Sequence, residues 1–223
     1  MSEYRSKEVL RAYRIPTTAE HLVTSAREAA AAAASLGYPV VMKACADGLA
    51  HKSELGLVEV GVTTPRGVRA AYRRLVDDSP VDLDGVLVSE MVTGGVEVVV
   101  GASHDPVFGP TVMVGLGGVF VEVLGDVTFR VPPFGRDEAK RMLRELRAAA
   151  LFGGVRGAPP ADTSALVDVI MRVQRLMMDL GDEIAEVDLN PVLVRPRGHG
   201  GGLGGGQGGG QGAVALDALV VRR

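Results

Sequence analysis

Apolar and polar positions follow two rhythms along this chain, one of period two and one of period three to four. Ser25-Ala26-Arg27-Glu28 has the spacing of a capping box and opens an alanine-rich run that stops at Gly37, which predicts a helix between them. Tyr38-Pro39-Val40-Val41-Met42-Lys43 is an apolar run closed by one charge and predicts a strand. After a polar, glycine-bearing stretch to Gly56, residues 57–62 alternate as a second strand. Thr64-Pro65 starts a helix, with proline at its first position, running to about Val76. Residues 85–91 and 97–101 predict two more strands, and 111–114 and 127–131 two shorter ones around a glycine-rich turn. Two helices follow. In the second, Leu166, Ile170, Val173, Met177 and Leu180 recur at three- and four-residue intervals and form one apolar stripe, with the methionines as core filling. Residues 183–194 return to strand character, and 213–221 predict a last strand.

Between those last two strands lies the glycine-rich stretch 198–212, GHGGGLGGGQGGGQG. It lacks the side chains to pack and is expected to loop out as an insertion, with His199 a loop residue. The 223 residues suffice for one large domain or two small lobes, and 47% hydrophobic content suits a globular chain. A formal charge of -3 offers no global basic field for nucleic acid. The chain has no run of 18 apolar residues, so no membrane span is expected, and its polar first residues do not resemble a signal peptide. A single cysteine, Cys45, excludes an internal disulfide and a multi-cysteine zinc site. It is expected as a reduced core residue, which points to the cytoplasm.

Several residues have the right chemistry for a site, each with a plainer alternative. Lys43 closes an apolar strand, where its compact ammonium suits a polyphosphate oxygen; a solvated strand-end lysine is the alternative. Ala50-His51-Lys52-Ser53-Glu54-Leu55-Gly56 puts an imidazole, an ammonium and a hydroxyl in one loop. A neutral imidazole can accept a phosphoryl group near physiological pH, although a surface histidine is equally compatible. Glu90-Met91-Val92 ends a strand where backbone groups can meet an adenine edge, and Glu97 is placed to accept from ribose hydroxyls; alternatively these are two strands joined by a turn. Gly115-Leu116-Gly117-Gly118 allows close backbone approach to a ligand, but it is neither a Walker loop nor a dinucleotide fingerprint. Arg130 could hold a terminal phosphate bidentately or sit in a salt bridge.

The end of the chain is more specific. In Glu186-Val187-Asp188-Leu189-Asn190-Pro191 the polar positions alternate with apolar ones, so 186, 188 and 190 share one strand face. Asp188 and Asn190 then lie about 7 Å apart along the backbone, close enough to converge on magnesium and phosphate oxygens. Asp217 joins them if the following strand pairs back as a hairpin. A solvated polar face is the alternative.

Taken together, these segments resemble the beta subunit of ADP-forming acetyl-CoA synthetase, an ATP-grasp module of the succinyl-CoA synthetase-like superfamily. The resemblance covers nearly the whole chain. It runs from Ser2-Glu3-Tyr4, residues 38–43 and His51-Lys52-Ser53-Glu54 through Asp105-Pro106-Val107-Phe108-Gly109-Pro110 and residues 115–122. It continues through Phe129-Arg130, residues 156–162 and 186–191, and Asp217. It implies an α+β, ATP-grasp fold of two lobes with nucleotide between them: residues 1–89 holding the small lobe and the His51 loop, and 90–223 holding the larger lobe and the metal site.

By the same resemblance, Lys43 contacts phosphates, Glu90, Met91 and Val92 the adenine, Glu97 the ribose and Arg130 a phosphate. Asp188, Asn190 and Asp217 gather Mg2+. His51 relays phosphate between ATP/ADP and a phosphohistidine of an alpha-type, CoA-binding subunit, so that acyl-CoA, ADP and phosphate interconvert with acid, CoA and ATP. This chain contains no CoA-binding Rossmann module, so the alpha-type partner is expected as a separate polypeptide, with the acid and CoA bound mainly there. Two features depart from the family pattern. Where the family carries paired glycines after the histidine element, Gly56 is followed here by Leu57, and the glycine insertion at 198–212 is unusual. Other readings stay open: a nucleotide sensor without phosphoryl transfer, an ATP-grasp ligase condensing an acyl phosphate with an amine, and a subunit that only stabilises a partner.

Overall fold

The computed structural model describes residues 1–49, 52–118, 125–154, 157–196 and 212–223. Among them the chain divides into two compact units. The first comprises Met1–Arg5 and Thr18–Val92; the second comprises Ser6–Thr17 and the described residues from Thr93 to Arg223.

The first unit is a four-stranded sheet under two helices. Its strands are β1 (Glu20–Val23), β2 (Val40–Cys45), β3 (Val58–Val62) and β4 (Gly85–Glu90), in the order β1-β4-β2-β3 with antiparallel neighbours. Helix α2 (Ala26–Leu36) is set by local chemistry at both ends. Ser25 Oγ accepts from Glu28 N, while the Glu28 carboxylate reaches back to Thr24 N at 2.9 Å. At the other end Gly37 takes a positive φ of 87°, which a side chain would resist. Helix α3 (Pro65–Asp77) begins as the proline predicts, with Thr64 Oγ1 accepting from Gly67 N at 3.1 Å. Val40, Met42, Ala44, Val86 and Val88 from the sheet pack with Ala29, Ala33, Val68, Ala71 and Leu75 from the helices to form this unit's core.

The second unit is built on a sheet of order β10-β8-β5-β6-β7, with β9 pairing β8. Its strands are β5 (Val96–Asp105), β6 (Gly109–Leu116), β7 (Val127–Arg130), β8 (Ile184–Val194), β9 (Ala213–Ala215) and β10 (Leu219–Arg222). Helices α4 (Arg136–Glu145) and α5 (Thr163–Leu180) cover one face. The α5 stripe is as the periodicity predicts: Leu166, Ile170, Val173 and Met177 are fully buried, and Leu180 is half-buried. Asp162 caps that helix by accepting from Ser164 N and Ala165 N.

Three features differ from the sequence expectation. Helix α1 (Glu3–Ala12) and strand β1 are present although no pattern announced them. Residues 213–221 do not form one strand, because the chain turns at Leu216–Ala218 between β9 and β10. Strands β5 and β6 are longer than their apolar cores, since the hairpin ladder runs out to Asp105↔Gly109. Among the described residues no helix is long and apolar enough to cross a membrane.

Candidate nucleotide and metal site

In the first unit the charged chemistry gathers on β2. Because Val40, Met42 and Ala44 enter the core under α2 and α3, the two-residue period sends Lys43 and Cys45 to the opposite face. There Lys43 is only 8% exposed, and its Nζ donates to Glu3 Oε1 at 2.8 Å. The other oxygen of the same carboxylate accepts from Lys52 Nζ. The Glu3 side chain is 1% exposed, and those of Lys43 and Lys52 are 10% and 11% exposed. One buried carboxylate therefore bridges two ammonium groups. Cys45 is a free, buried thiol whose pKa is raised, chiefly by burial.

The chain beyond Lys52 is closed by Leu57, whose N–H donates to the Lys52 carbonyl at 2.8 Å and whose carbonyl accepts from Ala44 N. Leu57 is fully buried in the core of this unit. The residue that departs from the paired-glycine pattern thus anchors the far end of the loop. His51 itself lies outside the described residues, as does His199 in the glycine-rich stretch. At the end of β4, Glu90 is tied to the backbone of Ala19 twice: its N–H donates to the Ala19 carbonyl, and its Oε1 accepts from Ala19 N at 2.8 Å. Met91 and Val92 follow it, both half-buried.

In the second unit Glu97 and the glycine-rich stretch come together. The Glu97 carbonyl accepts from Gly117 N at 2.8 Å. A Cβ at Gly117 would lie 3.0 Å from Glu97 Cβ and 3.1 Å from its carbonyl carbon, so a side chain there would press the two segments apart. The Glu97 carboxylate is exposed beside that turn, with Oε2 4.0 Å from where a Gly118 Cβ would sit.

The acidic set forms on β8 as the alternation predicts. Val187 and Leu189 are fully buried, while Glu186 and Asn190 are exposed and Asp188 is half-buried. Strand β10 pairs β8 with Leu219 opposite Asp188, which brings the Leu216–Ala218 turn and Asp217 beside it. Asp217 Oδ1 accepts from Ala218 N at 2.8 Å. The Asp188 carboxyl is raised to about 6, first by burial and then by the charges of Glu186 and Asp217. Repulsion among hard oxygen donors is what a divalent cation relieves, so the donor set fits magnesium. Among the described residues, no three His, Cys, Asp or Glu side chains form a complete metal-binding group. Two carboxylates and an amide nevertheless suffice for an ion that takes its other oxygens from phosphate and water.

Arg130 is not brought to this set. The register Asp188↔Gly101, Gly101↔Met113, Met113↔Phe129 puts Asp188 and Phe129 on one face of the sheet. Arg130, one residue on, projects to the opposite face, toward α4. There its Nε donates to Glu138 at 2.7 Å, an Nη to the Glu145 carboxylate at 2.6 Å, and another Nη to the Phe129 carbonyl. Glu145 and then Glu138 hold its pKa above the usual value. This is the salt-bridged alternative.

Reasoning from sequence did not find Glu3, or the two α1 residues that hold the Asp217 turn. Ser6 Oγ accepts from Val220 N at 3.0 Å, and Lys7, fully buried, donates from Nζ to the Leu216 carbonyl at 3.0 Å. A usable signal existed: Glu3, Ser6, Lys7 and Leu10 recur at three- and four-residue intervals, so two charges share a helix face with an apolar residue.

Comparison with known proteins accords with this geometry. The family model described as "ATP-grasp domain" matches residues 1–200. The chain is 37% identical over 226 residues to the beta subunit of acetate–CoA ligase (ADP-forming) II from Pyrococcus furiosus, covering 99% of this chain and 91% of that one. It is 40% identical over 203 residues to 4-hydroxybutyrate–CoA ligase (ADP-forming) from Nitrosopumilus maritimus, covering 89% of this chain but only 29% of that longer one. Among solved structures, the dinucleotide-forming acetyl-coenzyme A synthetase 1 of Ca. Korarchaeum cryptofilum superposes with a TM-score of 0.81 at 37% identity, covering 99% of this chain and 92% of its own. That structure is described as a complex with coenzyme A and Mg-AMPPCP, with a phosphohistidine segment pointing towards the nucleotide binding site. The chain belongs to the ATP-grasp family and, within it, to the group formed by the beta subunits of ADP-forming acyl-CoA synthetases.

Proposed function

We propose that this chain is the ATP-binding subunit of an ADP-forming acyl-CoA synthetase, moving phosphate between ATP/ADP and His51 in a relay coupled to acyl-CoA and acid. The observation that carries the reading is the acidic set at β8, where burial and then the charges of Glu186 and Asp217 raise the Asp188 carboxyl beside Asn190. Such a set is suited to bind magnesium together with a polyphosphate. In this reading Lys43 binds the phosphates, the backbone of Glu90, Met91 and Val92 meets the adenine, and Glu97 accepts from the ribose. No phosphate contact is assigned to Arg130, because its donors are shared by Glu138, Glu145 and a carbonyl. The small lobe and loop are assigned to residues 1–89 and the metal-bearing lobe to 90–223.

Bound magnesium would supply charge neutralisation on the phosphoryl oxygens during transfer. The protein's own part is nucleophilic. The unprotonated ring nitrogen of His51 forms a bond to the terminal phosphorus while the bond from that phosphorus to the bridging oxygen breaks, and ADP leaves with the bridging oxygen. The other ring nitrogen keeps its proton. In the opposite direction ADP takes the same phosphoryl group back. The acid and CoA would bind on an alpha-type subunit in a separate chain, and a free thiol at Cys45 accords with the reducing cytoplasm.

The test is incubation of the purified chain with γ-labelled ATP and magnesium beside a His51→Ala variant, reading acid-labile label on protein. Label on the wild type alone is expected, either directly or once the alpha-type subunit is added. Tight nucleotide binding with no label in either case would instead make the chain a nucleotide sensor.

A further inference from the structure

Among the described residues of the first unit, Glu3 is a buried carboxylate that bridges two cations, and it has no part in the chemistry so far. Lys43 Nζ lies 2.8 Å from Glu3 Oε1, Lys52 Nζ is hydrogen-bonded to Glu3 Oε2, and the acid is 1% exposed. The two lysines come from unlike settings. Lys43 is fixed in the middle of the β3-β2-β4 ladder, opposite Val58 and Leu87. Lys52 lies in a turn outside that ladder, and its carbonyl accepts from Leu57 N at 2.8 Å. A lysine side chain has four rotatable carbons and loses much rotamer freedom when it is fixed. A common acceptor holds an ammonium on a turn beside one on a strand. Glu3 provides that acceptor from the first turn of α1.

A buried ion cluster is a weak device for stability, because desolvation offsets most of the attraction. It is an effective device for holding charges in one arrangement. We propose that Glu3 is a positioning residue that sets Lys43 and Lys52 side by side as one phosphate-binding pair, making Lys52 a second phosphate-binding lysine alongside Lys43. This rests on the assignment of Lys43 to the phosphates made above. The ligand class is a polyphosphate: two adjacent ammoniums match two charged oxygens of one chain better than they match a single carboxylate or a neutral sugar.

The experiment is calorimetric titration of the full chain with magnesium and a non-hydrolysable ATP analogue, and separately with adenosine, for the wild type, Glu3→Gln, Lys52→Met, Lys43→Met and the Glu3→Gln/Lys43→Met pair. Glu3→Gln keeps the shape and one acceptor but loses the charge. It is expected to weaken the analogue about tenfold, or ~1.4 kcal/mol, and to leave adenosine unchanged. A merely structural role would weaken both ligands. Lys52→Met, which leaves Glu3 with Lys43, is expected to weaken the analogue to a similar degree, and it serves where Glu3→Gln does not fold. The paired variant should lose less than the sum of the two single losses, since Glu3 acts in part through Lys43. Analogue affinity unchanged in Glu3→Gln or in Lys52→Met, equal losses for analogue and adenosine, or additive losses in the pair would each overturn the proposal. A wild-type chain that does not bind the analogue would sink the nucleotide reading itself and this one with it. Wild-type binding with an indifferent Glu3→Gln sinks this one alone.

Discussion

Replacing Asp188 by asparagine should make the metal-free protein more stable while damaging its nucleotide chemistry. The Asp188 carboxyl ordinarily titrates near 3.8 and is raised to about 6 in the folded chain, by burial first and then by Glu186 and Asp217. The folded state therefore holds this proton more tightly than the unfolded state. Well below the ordinary value of 3.8 the group is neutral in both states and costs nothing. As pH rises through the folded value, the ionised form is forced into an unfavourable place and stability is lost. A shift of roughly two units corresponds to ~3 kcal/mol at 1.36 kcal/mol per unit. Half-exposure to water reduces that to about 1–2 kcal/mol. Asp188→Asn removes the ionisation and keeps the shape, so in chelator the variant should exceed the wild type by that amount at pH 7.5, and the gap should close toward pH 4.5. Urea unfolding at the two pH values measures it. Magnesium with ADP should then reverse the order, stabilising the wild type by relieving the repulsion and the variant far less. Wild-type affinity for magnesium nucleotide should also fall about tenfold per pH unit below about 6, as the proton competes for the same carboxylate. A variant less stable than the wild type at pH 7.5, or a gap that is the same at both pH values, would refute the reasoning.

Arg130→Met should cost about 1 kcal/mol or less in urea unfolding, since Glu138 and Glu145 on α4 stay open to water when their partner is removed. It should leave the dissociation constant for ADP unchanged, and a tenfold weakening would put the guanidinium on a phosphate after all. Gly117→Ala would press a methyl to 3.0 Å from Glu97 Cβ. It is expected to lower stability by about 1–3 kcal/mol, and a variant with an unchanged melting temperature would show that the turn yields freely. Leu57→Ala empties a fully buried position and should cost about 2–5 kcal/mol. A loss under about 1 kcal/mol by urea unfolding would mean that Leu57 does not anchor the loop beyond Lys52.

The local signals were the ones the sequence made legible. The capping contacts of Ser25 and Glu28, Pro65 at a helix start, the α5 stripe and the alternation of residues 186–190 each act within a few residues, and each appears where the spacing puts it. Strand β1 escaped because Glu20-His21-Leu22-Val23 has almost no apolar pattern; its pairing with β4 makes it a strand. The break at Leu216–Ala218 escaped for a related reason. Apart from Asp217, Ala213 to Val221 is apolar, and period alone does not reveal that the Leu216 N–H is drawn to the Pro191 carbonyl and its carbonyl to Lys7.

The residues with chemistry were legible as residue types but not as partnerships. Lys43 was visible because it ends an apolar run, whereas its partner Glu3 lies 40 positions away in a polar segment. Asp217 could be placed near Asp188 by supposing a hairpin, yet the turn that presents it is held by Lys7, 209 positions from the carbonyl it binds. Arg130 shows the limit of reasoning from type alone: a guanidinium suits phosphate and carboxylate equally. What decides between them is strand parity. Register from Asp188 across Gly101 and Met113 to Phe129 fixes which face position 130 occupies, and that face carries two glutamates from α4. A residue's chemistry can thus be proposed from its identity, but its ligand follows from the sheet register and from charges contributed by distant segments. The buried ion pairs of α1 are where that distinction matters most, because a charge inside a protein is retained only where a specific partner is held in place for it.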